Sequence, residues 1–465
     1  MIKKIALVGL GPHAKRIYCG FINNLVEKGG KFEVLIELES KRSMVEIFFK
    51  ERKVKPCRIL YIPDKGQLCP KNINEELKIR LNTLISEGLI THAIVATEPK
   101  AHKIYIEYFL KNRIPCLTDK PITAPVGLSY NKKASVNLVK DVNDLINISN
   151  KYKTPVYVQV QRREHCAYIY IFKLLAEIVK KYRIPITYFN IYHSDGNWSM
   201  PPEFYFRENH PYKYGYGKLM HSGYHFVDLI AWICEINKNI YKDITIETTA
   251  SFLKPETHYN QINGNKLYDR LFAKKTKLPQ NYKFGEIDSY TNFSFYGGHK
   301  IVDSKMITKG NLDLLQSGFS RRAWFDLPKD TYKGNGRVRH EYININVGPL
   351  FNIQLHSYQS NEINKGDVFG VGGEEHLDLY IFRNSDIIGG KSCEVIDFGK
   401  RINNESGNFK GVYFGQNELS RYIIFDKFLK RKFSDTMLDN QLLTNKILSS
   451  IYESYVTRKN VLLMV

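Results

Sequence analysis

The chain has 465 residues, 43% of them hydrophobic and 13% aromatic, which is more than one core of ordinary size needs and predicts two globular domains. Its net charge of +21 is spread along the chain without a zinc-finger or RNA-binding signature, so we expect no nucleic-acid partner, although an anionic small substrate is compatible with it. Seven scattered cysteines and the lack of a bilayer-length apolar run predict a soluble cytoplasmic protein with no membrane partner and no disulfide framework.

The first predicted elements are a strand and a glycine turn that opens a helix. The strand "KKIALVGLG" ends in Gly9-x-Gly11-x-x-Ala14, and "KRIYCGFINNLVEKG" follows as the helix. Gly9 permits the turn, Gly11 lets the backbone approach a pyrophosphate, and Ala14 allows close packing of helix on strand. We therefore predict a dinucleotide-binding turn whose cofactor-side residues are Gly9, Leu10, Gly11, Pro12, His13 and Ala14.

The second strand, "KFEVLIELES", carries an acid at the distance from the glycines expected for a ribose-binding residue. We choose Glu37 because it ends the apolar run, and a carboxylate there accepts ribose hydroxyls and repels a 2′-phosphate. This favours NAD as the cofactor. Lys41 and Arg42 follow at once and could grip a phosphate, which keeps NADP open, and a solvated strand end is the plain alternative for the acids.

Strands and helices keep alternating through the first third of the chain. Residues 91–122 contain an apolar strand, a polar turn, an amphipathic helix and a second strand, and residues 139–163 add another helix and strand. This alternation predicts a parallel α/β sheet of the Rossmann kind over residues 1–161.

The next feature is an aromatic loop, "NWSMPPEFYFRENHPYKYGYG", placed after a predicted strand. Such a loop can stack on sugar rings, and its arginine can bind a phosphate or carboxylate. The alternative is a surface loop whose aromatic side chains pack on the domain beneath. On the first interpretation the substrate-binding candidates are Arg162, Arg163, Trp198, Tyr205 and Arg207.

The stretch "GKLMHSGYHFVD" places His221 and His225 four positions apart, with Asp228 one turn further on. On a helix both histidines would lie on one face. A metal pair, a catalytic pair and ordinary packing all fit that spacing, but the glutamate of zinc-protease helices is absent, and we predict no metal.

The rest of the chain predicts a second domain. Short β-rich segments such as "HEYININVGPLFNIQLHSY" and "HLDLYIFRN" indicate a large, mostly antiparallel sheet. The predicted fold class is therefore α/β, with a Rossmann domain followed by an α+β domain over residues 162–465.

Four stretches resemble the Gfo/Idh/MocA oxidoreductase family, which includes glucose-fructose oxidoreductase and inositol dehydrogenases. They are "VGLGPHA", "ATEPKAH", "TDKPI" and "GKLMHSGYHFVDLIAWI", and they occur in the family's order. The resemblance implies a cofactor-side role for Ala96, Thr97, His102 and Lys120. It also implies closing helices at about 416–456 and a second domain that binds substrate. One face of that domain's sheet would form a homodimer or homotetramer.

The resemblance further implies an enzyme in which Lys120 and His225 act at the reacting carbon, with His221 as a third catalytic candidate. His221 stands where the family has an aspartate, and Asp119 replaces the glutamate before Lys120. The implied activity is hydride transfer between NAD(P) and a ring hydroxyl or ketone of a sugar, polyol or nucleotide sugar. A cofactor-binding regulator or pseudoenzyme of the same fold is the alternative.

Overall fold

The computed structural model describes residues 2–64, 72–208, 210–263, 283–298, 305–320, 322, 337–360, 374–399 and 417–465. The chain divides into two compact units. Unit 1 comprises Met1–Val126, Asn137–Glu164 and Asn417–Leu442, and unit 2 comprises Gly127–Val136, His165–Gln416 and Leu443–Val465.

Unit 1 contains a six-stranded sheet in the order β3-β2-β1-β4-β5-β6, in which every pair is parallel. Its strands are β1 Lys4–Val8, β2 Lys31–Leu38, β3 Arg58–Ile62, β4 His92–Val95, β5 Cys116–Thr118 and β6 Val156–Val158. The helices before β6 are α1 Pro12–Arg16, α2 Tyr18–Glu27, α3 Arg42–Phe49, α4 Glu75–Ser86, α5 Pro99–Lys111 and α6 Lys132–Tyr152. The central strands are buried along their length because helices cover both faces of such a sheet, which explains their apolar sequences.

A helix from near the C-terminus completes the core of unit 1. This helix, α12 Glu418–Lys430, places Phe425 5.2 Å from the ring of Phe21 and Phe428 5.1 Å from the ring of His92. Both phenylalanines are buried. The two units therefore differ from the predicted division at residue 161, because apolar packing joins this distant segment to the first sheet.

Unit 2 contains a nine-stranded sheet in the order β14-β13-β12-β11-β7-β10-β9-β8-β15. Its strands are β7 Tyr188–Ser194, β8 Ile244–Leu253, β9 Asp288–Gly297, β10 Lys305–Leu315, β11 Val338–Val347, β12 Phe351–Ser360, β13 Glu374–Arg383, β14 Cys393–Asp397 and β15 Val461–Met464. All described pairs are antiparallel except β7 with β10. Side chains alternate between buried and half-buried along β11, so one face of the sheet is covered.

Helices cover that face. They include α7 Cys166–Tyr182 and α9 Tyr224–Asn237, which meet through Phe172 and Trp232, stacked at 4.1 Å. The remaining helices described in unit 2 are α8 Pro201–Phe206, α10 Pro255–Asn263, α11 Ser385–Ile388 and α13 Leu442–Thr457.

The predicted fold class is confirmed: a parallel Rossmann-type sheet precedes a large, mostly antiparallel one. The stretch "GKLMHSGYHFVD" is not one regular α-helix, since a π-helical turn, Leu219–Gly223, precedes α9. In the described part of the chain, no helix is both long and apolar enough to cross a membrane.

Candidate functional site

The glycine turn after β1 has the backbone geometry that the sequence predicted. Gly9 has φ +89°, and a Cβ there would lie 2.8 Å from the carbonyl oxygen of Ala96 and from Cα of Thr97. Gly11 opens α1, and among the described residues no heavy atom lies within 4 Å of a Cβ built on it. The turn is thus closed against β4 on one side and open to a ligand at Gly11, which fits a group that approaches the backbone as a pyrophosphate does.

Glu37 is the penultimate residue of β2 and lies beside the glycine turn. Its Oε2 accepts the backbone N–H of Leu10 at 2.7 Å, and its Oε1 accepts that of Leu38 at 2.8 Å. Each carboxylate oxygen has two lone pairs, so acceptor capacity is left for a ribose hydroxyl.

Arg42, one of the two residues near Glu37 that could bind a 2′-phosphate, already has partners. Arg42 donates to Glu39 at 2.6 and 3.0 Å, and its guanidinium lies 4.0 Å from the ring centre of Tyr61. A 2′-phosphate would have to compete with these contacts. The arrangement of Glu37 and Arg42 therefore favours a ribose with free hydroxyls.

Asp119 connects the glycine-turn helix to the end of β5. Its carboxylate accepts the Tyr18 hydroxyl and lies 3.4 Å from Nε2 of His13, which is in α1. Burial by itself raises the pKa of Asp119, but the charge and hydrogen bonds of His13 and Tyr18 outweigh burial and lower it to about 2. Burial also lowers the pKa of His13, against the attraction of Asp119. Asp119 is therefore an ionised anchor next to Lys120.

His102 holds the two loops that carry Thr97 and Lys120. It is fully buried in α5, with Nε2 2.9 Å from the Thr97 carbonyl oxygen and Nδ1 3.0 Å from that of Pro121. The Lys120–Pro121 peptide bond is cis, and Lys120 is half-buried. Because both ring nitrogens face backbone carbonyls, the imidazole acts on the site by fixing these loops. Burial lowers the pKa of His102.

Arg162 and Arg163 lie in unit 1, in a short 3-10 turn after β6, and both are buried. The acid that ends this turn, Glu164, accepts Lys427 Nζ at 2.5 Å and Ser434 Oγ at 2.7 Å. These contacts join the turn to the C-terminal segment of unit 1. Of the predicted substrate-binding residues, these two arginines belong to unit 1 and the other three to unit 2.

Three predicted substrate-binding residues belong to the segment of α8, which begins with two prolines. Trp198 precedes the helix, Tyr205 lies within it and Arg207 follows it. All three are half-buried. The buried Arg322 donates to the Trp198 carbonyl at 2.8 Å and to Glu203 at 2.5 Å, which fixes the loop. Tyr205 packs edge-on against the exposed Phe206 at 4.6 Å.

His221 and His225 lie on either side of the break before α9. His221 is inside the π-helical turn with φ −78° and ψ −109°, whereas His225 is in the first turn of α9. They are only 7% and 4% exposed. The π-helical turn at His221 is relevant to function because such turns are frequent at functional sites.

The ring of His221 lies among three other rings. The centroid of His210 is 4.9 Å away, that of Tyr212 5.2 Å and that of Tyr216 6.1 Å, all near-perpendicular to His221. These neighbours come from the predicted aromatic loop. The loop therefore surrounds the imidazole of His221.

Sequence reasoning missed two buried carboxylates that hold the turn. Glu286 accepts the backbone N–H groups of Gly217 at 3.1 Å and Leu219 at 2.9 Å, and the hydroxyl of Tyr452 at 2.9 Å. A Cβ at Gly217 would overlap the Glu286 carbonyl oxygen, so the two segments touch backbone to backbone.

The second carboxylate is Asp195, directly after β7. It accepts Lys218 Nζ at 2.6 Å, Ser222 Oγ at 2.7 Å and an Arg337 nitrogen at 2.7 Å. The signal for Asp195 was available, since polar residues at the carboxyl end of a strand often line a site. Glu286 carried no such signal, because it precedes its strand.

Asp228 lies in α9, one turn beyond His225. It is fully buried and accepts the Thr444 hydroxyl of α13 at 2.8 Å. Within the described ranges, no group of three or more histidine, cysteine, aspartate or glutamate side chains could hold a metal ion.

The comparisons with known proteins rest on structure alone. No family model matches the chain, and no curated protein matches it in sequence. The fold is similar to WlbA dehydrogenase from Bordetella pertussis, solved with NADH and UDP-GlcNAcA (TM-score 0.56, 12% identity, 99% of this chain and 98% of that chain).

Two further solved structures share the fold. One is a levoglucosan dehydrogenase in complex with NADH and levoglucosan (TM-score 0.58, 10% identity, 99% of each chain). The other is scyllo-inositol dehydrogenase from Lactobacillus casei with NAD(H) and scyllo-inositol (TM-score 0.53, 12% identity, 99% of each chain). At such identities the likeness establishes the fold of this chain.

Proposed function

We propose that this chain is an NAD-dependent oxidoreductase that transfers hydride between nicotinamide and a ring hydroxyl or ketone of a sugar, polyol or nucleotide sugar. The observation that carries the proposal is the carboxylate of Glu37 bonded to Leu10 of the glycine turn at 2.7 Å. That contact supports a ribose-binding role for Glu37 beside the glycine turn. The solved structures of similar fold, which were crystallised with NADH or NAD(H) and sugar or polyol compounds, support the same class.

Bound NAD supplies the hydride acceptor, and the chain supplies the proton and charge chemistry. Oxidation of a secondary alcohol needs a base for the hydroxyl proton and a cation near the developing alkoxide. We assign the base to His225 and the cation to Lys120. In the reverse direction His225 returns the proton and Lys120 polarises the carbonyl. Holding the reacting groups in place is worth several orders of magnitude in rate.

Substrate binding is assigned to three arginines and two aromatic residues. The arginines Arg162 and Arg163 supply positive charge, which suits an anionic substrate such as a nucleotide sugar. Trp198, Tyr205 and Arg207 supply a stacking surface and a further donor. His221 adds a second imidazole where the family has an aspartate, which would lower the basicity of His225 when His221 is charged.

The test uses the purified full chain, with NADH and NADPH binding followed by nicotinamide fluorescence. Scyllo-inositol, levoglucosan and UDP-GlcNAcA are then offered with NAD, and product is identified by mass spectrometry. Lys120→Ala and His225→Ala should each lower kcat by about 10²-fold to 10⁴-fold. Lys111→Ala and His376→Ala are the matched controls, both at exposed positions, and each should have the wild-type kcat. Full activity in both site variants would remove the assigned roles.

The second candidate is a cofactor-binding regulator, and the observation that favours it is the ring cage around His221. This cage consists of the rings of His210, Tyr212 and Tyr216, which surround His221. It would suit a protein that senses a bound molecule without converting it. This function predicts NADH binding with no product from any of the offered compounds. Stoichiometric oxidation with product would exclude it.

We also infer that the open face of the nine-stranded sheet joins two copies of the chain. Asn190 of β7 is in register with Asn311 and Asn344, and the row continues to Asn292 and Gln354. Amide side chains both donate and accept, so such a row is complementary to itself in a twofold interface. Light scattering after size exclusion should give a dimer or tetramer, and Asn190→Lys with Asn344→Lys should shift it to monomer.

A further inference from the structure

The turn that carries His221 is held from one side by the end of β7. Asp195 is 3% exposed, and its Oδ2 accepts Lys218 Nζ at 2.6 Å and Ser222 Oγ at 2.7 Å. Lys218 precedes the π-helical turn and Ser222 is within it, so one carboxylate oxygen binds both flanks of His221.

A second contact extends the same attachment into α9. His193, two residues before Asp195, packs its ring against Phe226 at a centroid distance of 4.4 Å. Lys218 Nζ also lies 2.9 Å from Nδ1 of His193. Lys218, Ser222 and Phe226 are spaced four residues apart, and all three meet the end of β7.

This attachment sets the rotation of the histidine segment about its own axis. His221 and His225 each follow a member of the anchored row by three residues, so the same rotation directs both imidazoles. The backbone at His221 is not helical, and regular helical hydrogen bonds alone do not define it. Side-chain contacts from outside the turn are needed to select one orientation.

The contacts of Asp195 with Lys218 and Arg337 are ionic, so they contribute more to the orientation of the histidine segment than to the stability of the fold. Arg337 donates to Asp195 Oδ1 at 2.7 Å and to its backbone oxygen at 3.0 Å. Buried ion pairs add little net stability because desolvation offsets their attraction, but they tolerate few alternative geometries. Burial lowers the pKa of Lys218 to about 8. Burial would raise the pKa of the Asp195 carboxyl, but the cationic neighbours of Asp195 outweigh this effect and keep its pKa well below the usual range.

We propose that Asp195, through Lys218 and Ser222, is a positioning residue that sets the direction of His221 and His225. The proposal rests on the proposed function for its catalytic consequence, because His225 has to be a proton-transfer group for its direction to affect kcat. Asp195 itself is not assigned a contact with substrate.

Ser222→Ala is the main test because it removes one of the two anchoring bonds and leaves the buried charges paired. Ser222→Thr keeps the hydroxyl and should restore wild-type behaviour. Ser449→Ala is the matched control, since it also removes one hydroxyl bond in unit 2, that of Ser449 Oγ to the Ser135 carbonyl at 2.9 Å.

With the substrate that wild type oxidises among scyllo-inositol, levoglucosan and UDP-GlcNAcA, Ser222→Ala should lower kcat about tenfold and leave KM nearly unchanged. The pH midpoint of kcat should shift with it. A loss of kcat in Ser449→Ala as large as in Ser222→Ala, or wild-type kcat in Ser222→Ala, would overturn the proposal.

A second readout needs no substrate. In the full chain with ¹³C-labelled histidine, Ser222→Ala should move the NMR titration midpoints of His221 or His225 by about half a pH unit, and leave that of His376 in place. Unchanged midpoints would overturn the positioning role even in an active enzyme. Shifted midpoints in a chain that oxidises none of the three compounds would instead count against the proposed function.

Discussion

Glu37 and Leu10 are fixed to each other: the carboxylate at the end of β2 accepts the backbone N–H of the glycine turn at 2.7 Å. The same side chain that can bind a ribose therefore also shapes the turn that would receive the pyrophosphate. A change at Glu37 should affect both the strength of cofactor binding and the choice between NAD and NADP.

Glu37→Gln should weaken NADH binding by about tenfold, because the amide keeps an acceptor but loses the negative charge. The protein's preference for NADH over NADPH should also become smaller, because that charge repels a 2′-phosphate. Fluorescence titration with both nucleotides measures this. Glu76→Gln is the control, since Glu76 is exposed in α4, away from the turn in sequence, and is likewise paired with an arginine, Arg80. Equal affinity of wild type and Glu37→Gln for each nucleotide would show that Glu37 does not face the ribose.

The two glycines of the turn should respond differently to alanine. Gly9→Ala forces a side chain at φ +89° and against Ala96, so it should lower the free energy of unfolding by about 1–3 kcal/mol and weaken NADH binding. Gly11→Ala adds a Cβ that meets no atom of the described residues within 4 Å, so it should leave stability nearly unchanged while weakening NADH binding. Urea unfolding and fluorescence titration separate these effects.

Gly20→Ala is the control for the glycine pair, because Gly20 is exposed within α2 and a Cβ there meets nothing within 4 Å among the described residues. It should raise the free energy of unfolding by about 0.5–1 kcal/mol and leave NADH binding as in wild type. Unaltered NADH affinity in Gly11→Ala would contradict the prediction that this backbone approaches the cofactor.

Asp119 should make stability depend on pH in the acid range. Its pKa falls from 3.8 to about 2 on folding, so its contribution is present above about pH 4 and is lost as the pH falls towards 2. Removing it by Asp119→Asn should cost at most about 2 kcal/mol near neutral pH, and that gap should shrink between about pH 4 and pH 2. Urea unfolding of both proteins across this range measures the gap, and a constant gap would contradict the prediction.

Thr444→Val should destabilise unit 2 without changing the chemistry. The substitution removes a buried hydrogen bond to Asp228 and should cost about 1 kcal/mol, while kcat per folded molecule stays at the wild-type value. Thermal unfolding and steady-state kinetics measure the two effects. Thr457→Val, which removes only a local bond to the Glu453 carbonyl, is the control and should cost less. A large fall in kcat would place Asp228 in the chemistry instead.

Local pattern was enough for the parts of this protein whose interactions are near in sequence. Gly9, Gly11 and Glu37 could be recognised from one strand, one turn and the next strand, because parallel α/β units repeat that order. Alternation likewise predicted the antiparallel strands β11 to β13. The binding and catalytic roles of the site residues remain predictions.

Tertiary structure decided what lies around His221. On a regular helix the spacing of four would put His221 and His225 on one face, yet the chain forms a π-helical turn held by Asp195 and Glu286, which are 26 and 65 residues from His221. It also decided that α12 packs in unit 1, far in sequence from the strands it covers. The physical reason is the same in both cases: buried carboxylates and apolar rings need partners, and those partners come from distant segments that no local pattern specifies.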